Sequence, residues 1–248
     1  MMDPAVIQGL GFVPAPSEIR RRLLCQIAAP KGFGKTSTAL GGYDALLNPV
    51  IVEGPIFYYK LETGDEGIIE KFKAAGAEVY LYRAYYNRTN WKEAWTQMLD
   101  SISNTCTQMF NQTCTFIIDT MSEVYEFGRM AHFGGRLSQV VPREYGVIYS
   151  DMREIIRGVE GSGLNGLFIQ KMGPAYENKA EMEIKGWDDI RWDMQVMVRL
   201  HRFDATPEWP HTRYLGQIDE CRQNGNLIGT WLEGETLTIP YLTGLVHG

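Results

Sequence analysis

The chain has 248 residues, 44% of them hydrophobic and 22% charged, which supplies enough apolar material for the core of one large α/β domain. Its net charge of −6 excludes attraction to nucleic acid through bulk charge, so any such contact must come from a local patch. Four cysteines without C-x-x-C spacing, no long apolar run and no signal-peptide pattern predict a reduced, cytoplasmic protein without membrane contact.

The chain is predicted to begin with an irregular segment and to continue as one domain. Residues 1–19 carry Pro14 and Pro16 and little periodicity. Residues 20–205 alternate strand-like and helix-like runs, and residues 206–248 form a β extension of the same domain. Apolar runs predict strands at 23–28, 55–61, 77–82, 114–119, 164–169 and 194–201, and helices at 35–47, 66–75, 91–106 and 145–160.

The remaining segments carry weaker patterns. Residues 120–144 are less regular, residues 172–192 are polar and predict a long loop, and residues 211–242 hold two or three antiparallel strands. Asn90 and Glu93 have the spacing of a capping box before the third helix. Strands that alternate with helices and are followed by strands alone predict a mostly parallel central sheet flanked by helices, with a C-terminal antiparallel extension.

A phosphate-binding loop is predicted between the first strand and the first helix. Residues 29–36 match the pattern G-x-x-x-x-G-K-[ST], with Ala29 in place of the first glycine. Glycines let backbone N–H groups point at phosphate oxygens, and the next helix presents its positive end to the same anion. The alternative is an ordinary glycine turn before a helix. The predicted nucleotide-binding residues are Ala29, Pro30, Lys31, Gly32, Phe33, Gly34, Lys35, Thr36 and Ser37.

Three further polar residues end predicted strands, where ligands of open parallel sheets bind. Asp119 and the Thr36 hydroxyl are predicted to hold Mg²⁺, while Lys35 reaches the β- and γ-phosphates. Glu62 is predicted to activate the attacking water, and Gln170, with Lys171 as its alternative, to sense the γ-phosphate. For both acids the alternative is a solvated carboxylate at a strand end.

These motifs, in this order, resemble the RecA core of the P-loop ATPases. The resemblance covers about residues 20–205, and the position of Glu62 favours the RecA branch. More closely, the chain is similar to RecA-type nucleotide-binding proteins of bacteriophages, often labelled phage AAA-family ATPases, some of which act in single-strand annealing and recombination. It departs from the pattern at Ala29, and at Lys60, where an acid is frequent.

The resemblance implies DNA-binding loops and a cation supplied by a neighbouring subunit. Residues 127–143 contain no acid, and a mobile loop with cations and exposed aromatics suits single-stranded DNA. A protein–protein contact or a solvated insertion is the alternative, and the charges of residues 172–192 cancel. The candidate DNA residues are Arg129, Phe133, Arg136 and Arg143, and the candidate finger residues are Lys185, Arg199 and Arg202.

The sequence therefore leads to two main functional hypotheses. The first is Mg²⁺-dependent ATP hydrolysis coupled to single-stranded DNA in phage recombination, annealing or replication, in the host cytoplasm. The second is a nucleotide-gated, oligomeric assembly module with little turnover that recruits a partner such as a single-strand-binding protein. Both imply a homo-oligomer. A small-metabolite kinase is a weaker third hypothesis, because no acceptor-site signature occurs.

Overall fold

The computed structural model describes residues 22–62, 66–84, 89–175, 179, 181–187 and 189–247. The predicted N-terminal segment, residues 1–19, lies outside this part of the chain. No helix within the described ranges is long and apolar enough to cross a membrane.

A single twisted sheet organises the described chain. The strands are β1 (Leu24–Ala29), β2 (Ile56–Lys60), β3 (Val79–Arg83), β4 (Thr115–Asp119), β5 (Asn165–Pro174), β6 (Met182–Ile184), β7 (Val196–Phe203), β8 (Arg213–Cys221) and β9 (Trp231–Glu233). Their order is β3-β2-β4-β5-β1-β7-β8-β9, with β6 paired to the end of β5. The pairs from β3 to β7 are parallel, whereas β8 and β9 add in antiparallel orientation. This confirms the predicted mostly parallel sheet with a C-terminal antiparallel extension.

Helices cover the two faces of this sheet. They are α1 (Lys35–Ala39), α2 (Glu66–Ala74), α3 (Trp91–Gln108), α4 (Met121–Phe133), α5 (Gly146–Ser162) and α6 (Ile239–His247). One buried core lies beneath α1, α2 and α6, and the other lies beneath α3, α4 and α5. The apolar stripe predicted for α5 is buried as expected: Ile148, Met152, Ile155, Ile156 and Val159. Because apolar layers cover both faces, the central strands are almost continuously hydrophobic.

The first helix is much shorter than predicted. The sequence predicts a helix over residues 35–47, but α1 ends at Ala39. Gly41 and Gly42 have φ values of 143° and 87°, which lie outside helical geometry. A Cβ on Gly41 would lie 1.9 Å from the carbonyl oxygen of Val50. The chain therefore turns at this glycine pair and packs tightly against the segment that leads to β2.

Residues 120–144 are more regular than predicted. They form α4 and then two 3-10 turns, Gly134–Gln139 and Pro142–Tyr145. Thr120 caps α4 by accepting a hydrogen bond from the backbone N–H of Glu123 at 3.2 Å. Phe127 is buried in the core beneath this helix. The expectation of a mobile loop with exposed aromatics over residues 127–143 is therefore wrong.

Two other segments also differ from the prediction. The expected loop at 172–192 contains the end of β5, strand β6 and a 3-10 turn at Asp189–Asp193. The described chain ends in α6 and not in a further strand, because Ile239, Leu242 and Val246 lie on one face of a helix and are buried. Asn90 caps α3, but its side chain makes no capping hydrogen bond, so the predicted capping box does not form.

Candidate functional site

The phosphate-binding loop lies at the carboxyl end of β1, in the middle of the sheet. Gly32 and Gly34 have φ values of 80° and 83°, the left-handed conformation that glycine adopts without a Cβ penalty. Ala29 is the last residue of β1, is fully buried, and is not among the residues with positive φ. An alanine therefore meets the backbone requirement at this position. The replacement of the first glycine leaves the loop geometry intact.

Lys35 turns its ammonium group back into this loop. Its Nζ donates hydrogen bonds to the carbonyl oxygens of Ala29 at 3.1 Å and Pro30 at 2.8 Å. Burial lowers the pKa of Lys35, while the nearby carboxylates of Glu62 and Asp119 oppose that shift. These contributions show that both predicted acids lie close enough to Lys35 to act on its charge. The strand ends predicted to converge on the loop do converge there.

Asp119 joins the loop to the neighbouring strand β4. Its Oδ2 accepts a hydrogen bond from the hydroxyl of Thr36 at 2.8 Å and another from the hydroxyl of Tyr58 at 2.5 Å. The carboxylate is buried and its residue is 4% exposed. A hydroxyl and a carboxylate are hard oxygen ligands, which suit Mg²⁺.

The geometry of this pair fits a magnesium site of the kind found with nucleotides. No cluster of three or more His, Cys, Asp or Glu side chains suitable for a metal occurs in the described ranges. Mg²⁺ is usually held by one or two protein oxygens, with water and substrate phosphates completing its shell. Thr36 and Asp119 therefore match this ion better than they match zinc or calcium, which take more ligands from the protein.

Glu62 lies just beyond the end of β2, beside Asp119. The backbone N–H groups of Leu61 and Glu62 both donate to the carbonyl oxygen of Asp119, at 2.8 Å and 3.2 Å. The Oε1 atom of Glu62 is 3.3 Å from Nζ of Lys171, which also pairs with Glu123. The sequence suggested Lys171 only as an alternative sensor and assigned no role to Glu123. The Thr-x-x-Glu spacing of Thr120 and Glu123 was the signal that would have placed this acid in the first turn of a helix.

Gln170 lies inside the sheet and not at its surface. Its side chain is fully buried and donates to the carbonyl oxygen of Trp187 at 2.6 Å. Its amide oxygen accepts a hydrogen bond from Gln26 on the adjacent strand β1. Both ends of the amide are therefore engaged within the protein, and Lys171, one residue later, points its cation to the loop.

The predicted finger residues all take part in local ion pairs. Arg199 pairs with Asp219 at 2.7 Å, Arg202 with Asp204 at 2.8 Å, and Lys185 with Glu183 at 2.7 Å. Arg199 is in register with Ala28 on the parallel strand β1, so it lies closest in the sheet to the phosphate-binding loop.

The predicted DNA residues are spread over α4 and the turns that follow it. Arg129 pairs with Glu126 at 2.7 Å and lies over the ring of Tyr145. Phe133 is half-buried against the core under α4. Arg136 is exposed and lies 3.5 Å from Glu144. Arg143 is exposed on the second 3-10 turn, so Arg136 and Arg143 present the accessible cations of this segment.

An aromatic ring that the sequence did not single out flanks the loop. Tyr214 on β8 is 42% exposed, and a Cβ built on Gly34 would lie 3.6 Å from its Cδ1 atom. Strand β8 is two positions from β1 in the sheet, which brings the ring beside the loop. The prediction placed an antiparallel strand here but had no means of fixing its register.

Comparison with known proteins places this fold among ATPase domains. No protein-family model matches the chain, and no curated protein sequence matches it. Among solved structures it is similar to a phosphate-loop ATPase domain, with 11% identity and a TM-score of 0.50, covering 86% of this chain and 81% of that one. It also matches the RadB recombinase (13% identity, TM-score 0.47, 92% and 91% of the two chains) and a DnaB-like replicative helicase (12%, 0.46, 82% and 53%). The chain thus spans about half the length of that helicase, and at these identities the likeness concerns the fold alone.

Proposed function

Starting from the RecA-like P-loop ATPase core that this chain folds into, we propose that the protein binds ATP with Mg²⁺ and hydrolyses it. The observation that carries the proposal is the convergence of Lys35, Thr36, Asp119 and Glu62 on one loop. In this proposal the N–H groups of residues 32–36 and the ammonium of Lys35 bind the phosphates. Thr36 and Asp119 hold the ion, which when bound neutralises charge on the phosphate oxygens.

Glu62 is assigned the role of general base. It extends from the strand beside Asp119, and its carboxylate is within reach of the loop because its charge acts on Lys35. A carboxylate here can accept a proton from water as the water attacks the terminal phosphate, which typically contributes 10²- to 10⁴-fold to a rate. Tyr214, which borders Gly34, is assigned to the nucleoside side of the site.

Two variants test this assignment. Lys35→Ala is expected to abolish ATP binding in calorimetry, because it removes the cation that reaches the phosphates. Glu62→Gln is expected to keep ATP binding and to slow turnover by about 10² or more. The matched control is Glu70→Gln, which changes an exposed carboxylate on α2 and should leave both measurements as in the wild type. Unchanged hydrolysis in Glu62→Gln would remove Glu62 from the role of base.

A nucleotide-gated assembly module with little turnover is the second candidate. The ion pair between Glu62 and Lys171 supports it, since a paired carboxylate is a poorer base. Sedimentation with ADP, with ATP and with a slowly hydrolysed ATP analogue distinguishes the two candidates. An assembly that forms with ATP and persists because turnover is absent favours the module, whereas steady phosphate release favours the ATPase.

The proposal extends to a homo-oligomer acting on single-stranded DNA during phage recombination, annealing or replication. Exposed Arg136 and Arg143 support the DNA contact, and the position of Arg199 beside the loop supports a cation at a subunit boundary. Arg136→Ala with Arg143→Ala should weaken binding to single-stranded DNA and flatten its dependence on salt. Equal binding by this double variant, or no binding by the wild type, contradicts the DNA contact. Recruitment of a single-strand-binding protein is tested by co-sedimentation of the two proteins.

A further inference from the structure

The second cation beside the phosphate-binding loop is Lys171. It follows Gln170 on β5, in register with Ala29, the first residue of the loop. Its ammonium group pairs with Glu123 in the first turn of α4 and with Glu62 at 3.3 Å. The side chains of all three residues are between 26% and 32% exposed, so water reaches them. This cation therefore bridges the predicted general base and a second acid at the edge of the site.

The backbone of Lys171 is fixed from the other side by a short hydrogen-bonded circuit. Its N–H donates to Oγ of Ser122 at 3.1 Å, and that hydroxyl donates to the carbonyl oxygen of Lys185 at 2.7 Å. The N–H of Lys185 donates back to the carbonyl oxygen of Lys171 at 2.8 Å. The base of the β5–β6 hairpin is thus tied to the residue whose side chain bonds to Glu62. A shift of Lys171 must alter this circuit.

The charges around the loop show what would move Lys171. Burial is the main reason that the pKa of Lys35 is lowered, and the neighbouring Lys171 lowers it further. Two ammonium groups therefore lie near each other at the place proposed for the phosphates. A terminal phosphate carries more negative charge than a carboxylate and offers three acceptor oxygens, so it competes with Glu62 for the ammonium of Lys171.

We propose that Lys171 is a positioning residue that restrains Glu62 in an ion pair and releases it when the γ-phosphate of a bound nucleotide takes over its ammonium group. This inference rests on the proposed function. ADP has no γ-phosphate and leaves the pair with Glu62 in place. Glu123 retains its contact and keeps the ammonium at the edge of the site. The presence of a triphosphate thereby frees the base and, through the Ser122 circuit, changes the base of the β5–β6 hairpin.

Nucleotide selectivity gives the sharpest test. The affinities of wild type, Lys171→Met, Lys171→Arg and the exposed-lysine control Lys73→Met are measured by calorimetry for ADP and for ATPγS, both with Mg²⁺. Lys171→Met is expected to lose about tenfold in ATPγS affinity with ADP affinity unchanged, the size of one charged contact of about 1.4 kcal/mol. Lys171→Arg should retain most of the preference for ATPγS, and Lys73→Met all of it. A general structural role would weaken both nucleotides equally.

Hydrogen exchange of the wild-type protein provides a second test that does not depend on the folding of a variant. Amides within 170–187 are expected to exchange differently with ATPγS than with ADP, because the Lys171–Ser122–Lys185 circuit changes. Identical exchange, or an equal loss of both affinities in Lys171→Met, overturns the inference while leaving ATP binding in place. A wild-type protein that binds neither nucleotide overturns the proposed function as well, so the two failures are distinguishable.

Discussion

Tyr58→Phe removes a hydroxyl from the centre of the proposed magnesium site without removing volume. The Tyr58 hydroxyl donates to Oδ2 of Asp119 at 2.5 Å, and both residues are buried. The same oxygen accepts from Thr36, so the carboxylate stays partly satisfied in the variant. The ring itself packs in the core beneath α1, where phenylalanine fills the same space. The substitution thus isolates one charge-assisted hydrogen bond from packing.

The expected loss follows from the charge and burial of the acceptor. A hydrogen bond to a charged group contributes about 1.5–3 kcal/mol, because breaking it leaves a buried charge less well solvated. At about 2 kcal/mol, with a urea m-value of about 3 kcal/mol/M, the unfolding midpoint falls by about 0.7 M. Outer partners of metal-binding side chains typically affect metal affinity by 10- to 100-fold. We therefore also expect Tyr58→Phe to raise the Mg²⁺ concentration needed for half-maximal hydrolysis by about tenfold.

The next residue on the same strand is the matched control. Tyr59 is also buried, but its hydroxyl bonds to the neutral hydroxyls of Ser101 at 3.1 Å and Thr105 at 2.9 Å. Tyr59→Phe should cost about 0.5–1.5 kcal/mol and leave the Mg²⁺ requirement unchanged. Urea unfolding and Mg²⁺ titration of ATP hydrolysis are measured for both variants. The reasoning fails if Tyr58→Phe unfolds at the wild-type midpoint, or if the two variants share one Mg²⁺ requirement.

Three further predictions use other parts of the structure. Gly41→Ala should destabilise the protein by at least about 3 kcal/mol in urea unfolding, because its Cβ would meet the Val50 carbonyl at a positive φ; the control Gly161→Ala, in α5 with open space around it, should be neutral or stabilising, and similar values for both would contradict the packing argument. Lys35→Met should leave the free energy of unfolding within about 1 kcal/mol of the wild type, because burial already disfavours the ammonium and lowers its pKa, yet abolish the rise in thermal midpoint caused by MgATP; a retained rise would remove Lys35 from phosphate binding. The four cysteines are buried, and burial raises the pKa of the thiols of Cys25 and Cys106, so a thiol reagent at pH 8 should label the native protein slowly and all four thiols rapidly in guanidinium; rapid native labelling would refute this.

The buried parts of the fold could be predicted from the sequence, because both of their periodicities are clear. The six parallel strands and the inward faces of α3 and α5 follow directly from apolar spacing. The prediction failed where a local rule was overridden by distant contacts. Residues 40–47 have a helix-compatible composition, but Gly41 must approach Val50, a contact between segments that the sequence does not show. The sequence predicts strand where the terminal helix α6 forms, because short apolar runs fit either structure.

Helix α4 shows a different kind of failure. Its N-terminal signal, Thr120 followed by Glu123, is present in the sequence and forms the backbone cap that this spacing favours. The same spacing at Asn90 and Glu93 predicts a capping box, although there the side-chain cap does not form. The RecA resemblance favoured a DNA loop at residues 127–143 over the helical pattern. Arg129, expected on that loop, is instead paired with Glu126 one turn earlier in the helix.

The site residues were predictable as strand-end residues, but their partners were not, and the register of the sheet explains why. Lys60 is in register with Asp119, Asp119 with Ile169, and Ala29 with Lys171. A slip of one residue would turn each of these side chains to the other face of the sheet and would also exchange the apolar residues of the two cores. All five residues of β4 are buried, so such a slip is strongly disfavoured. The core packing therefore fixes which charges meet at the loop, and it brings Lys171 to Glu62, a pairing that strand-end positions alone do not determine.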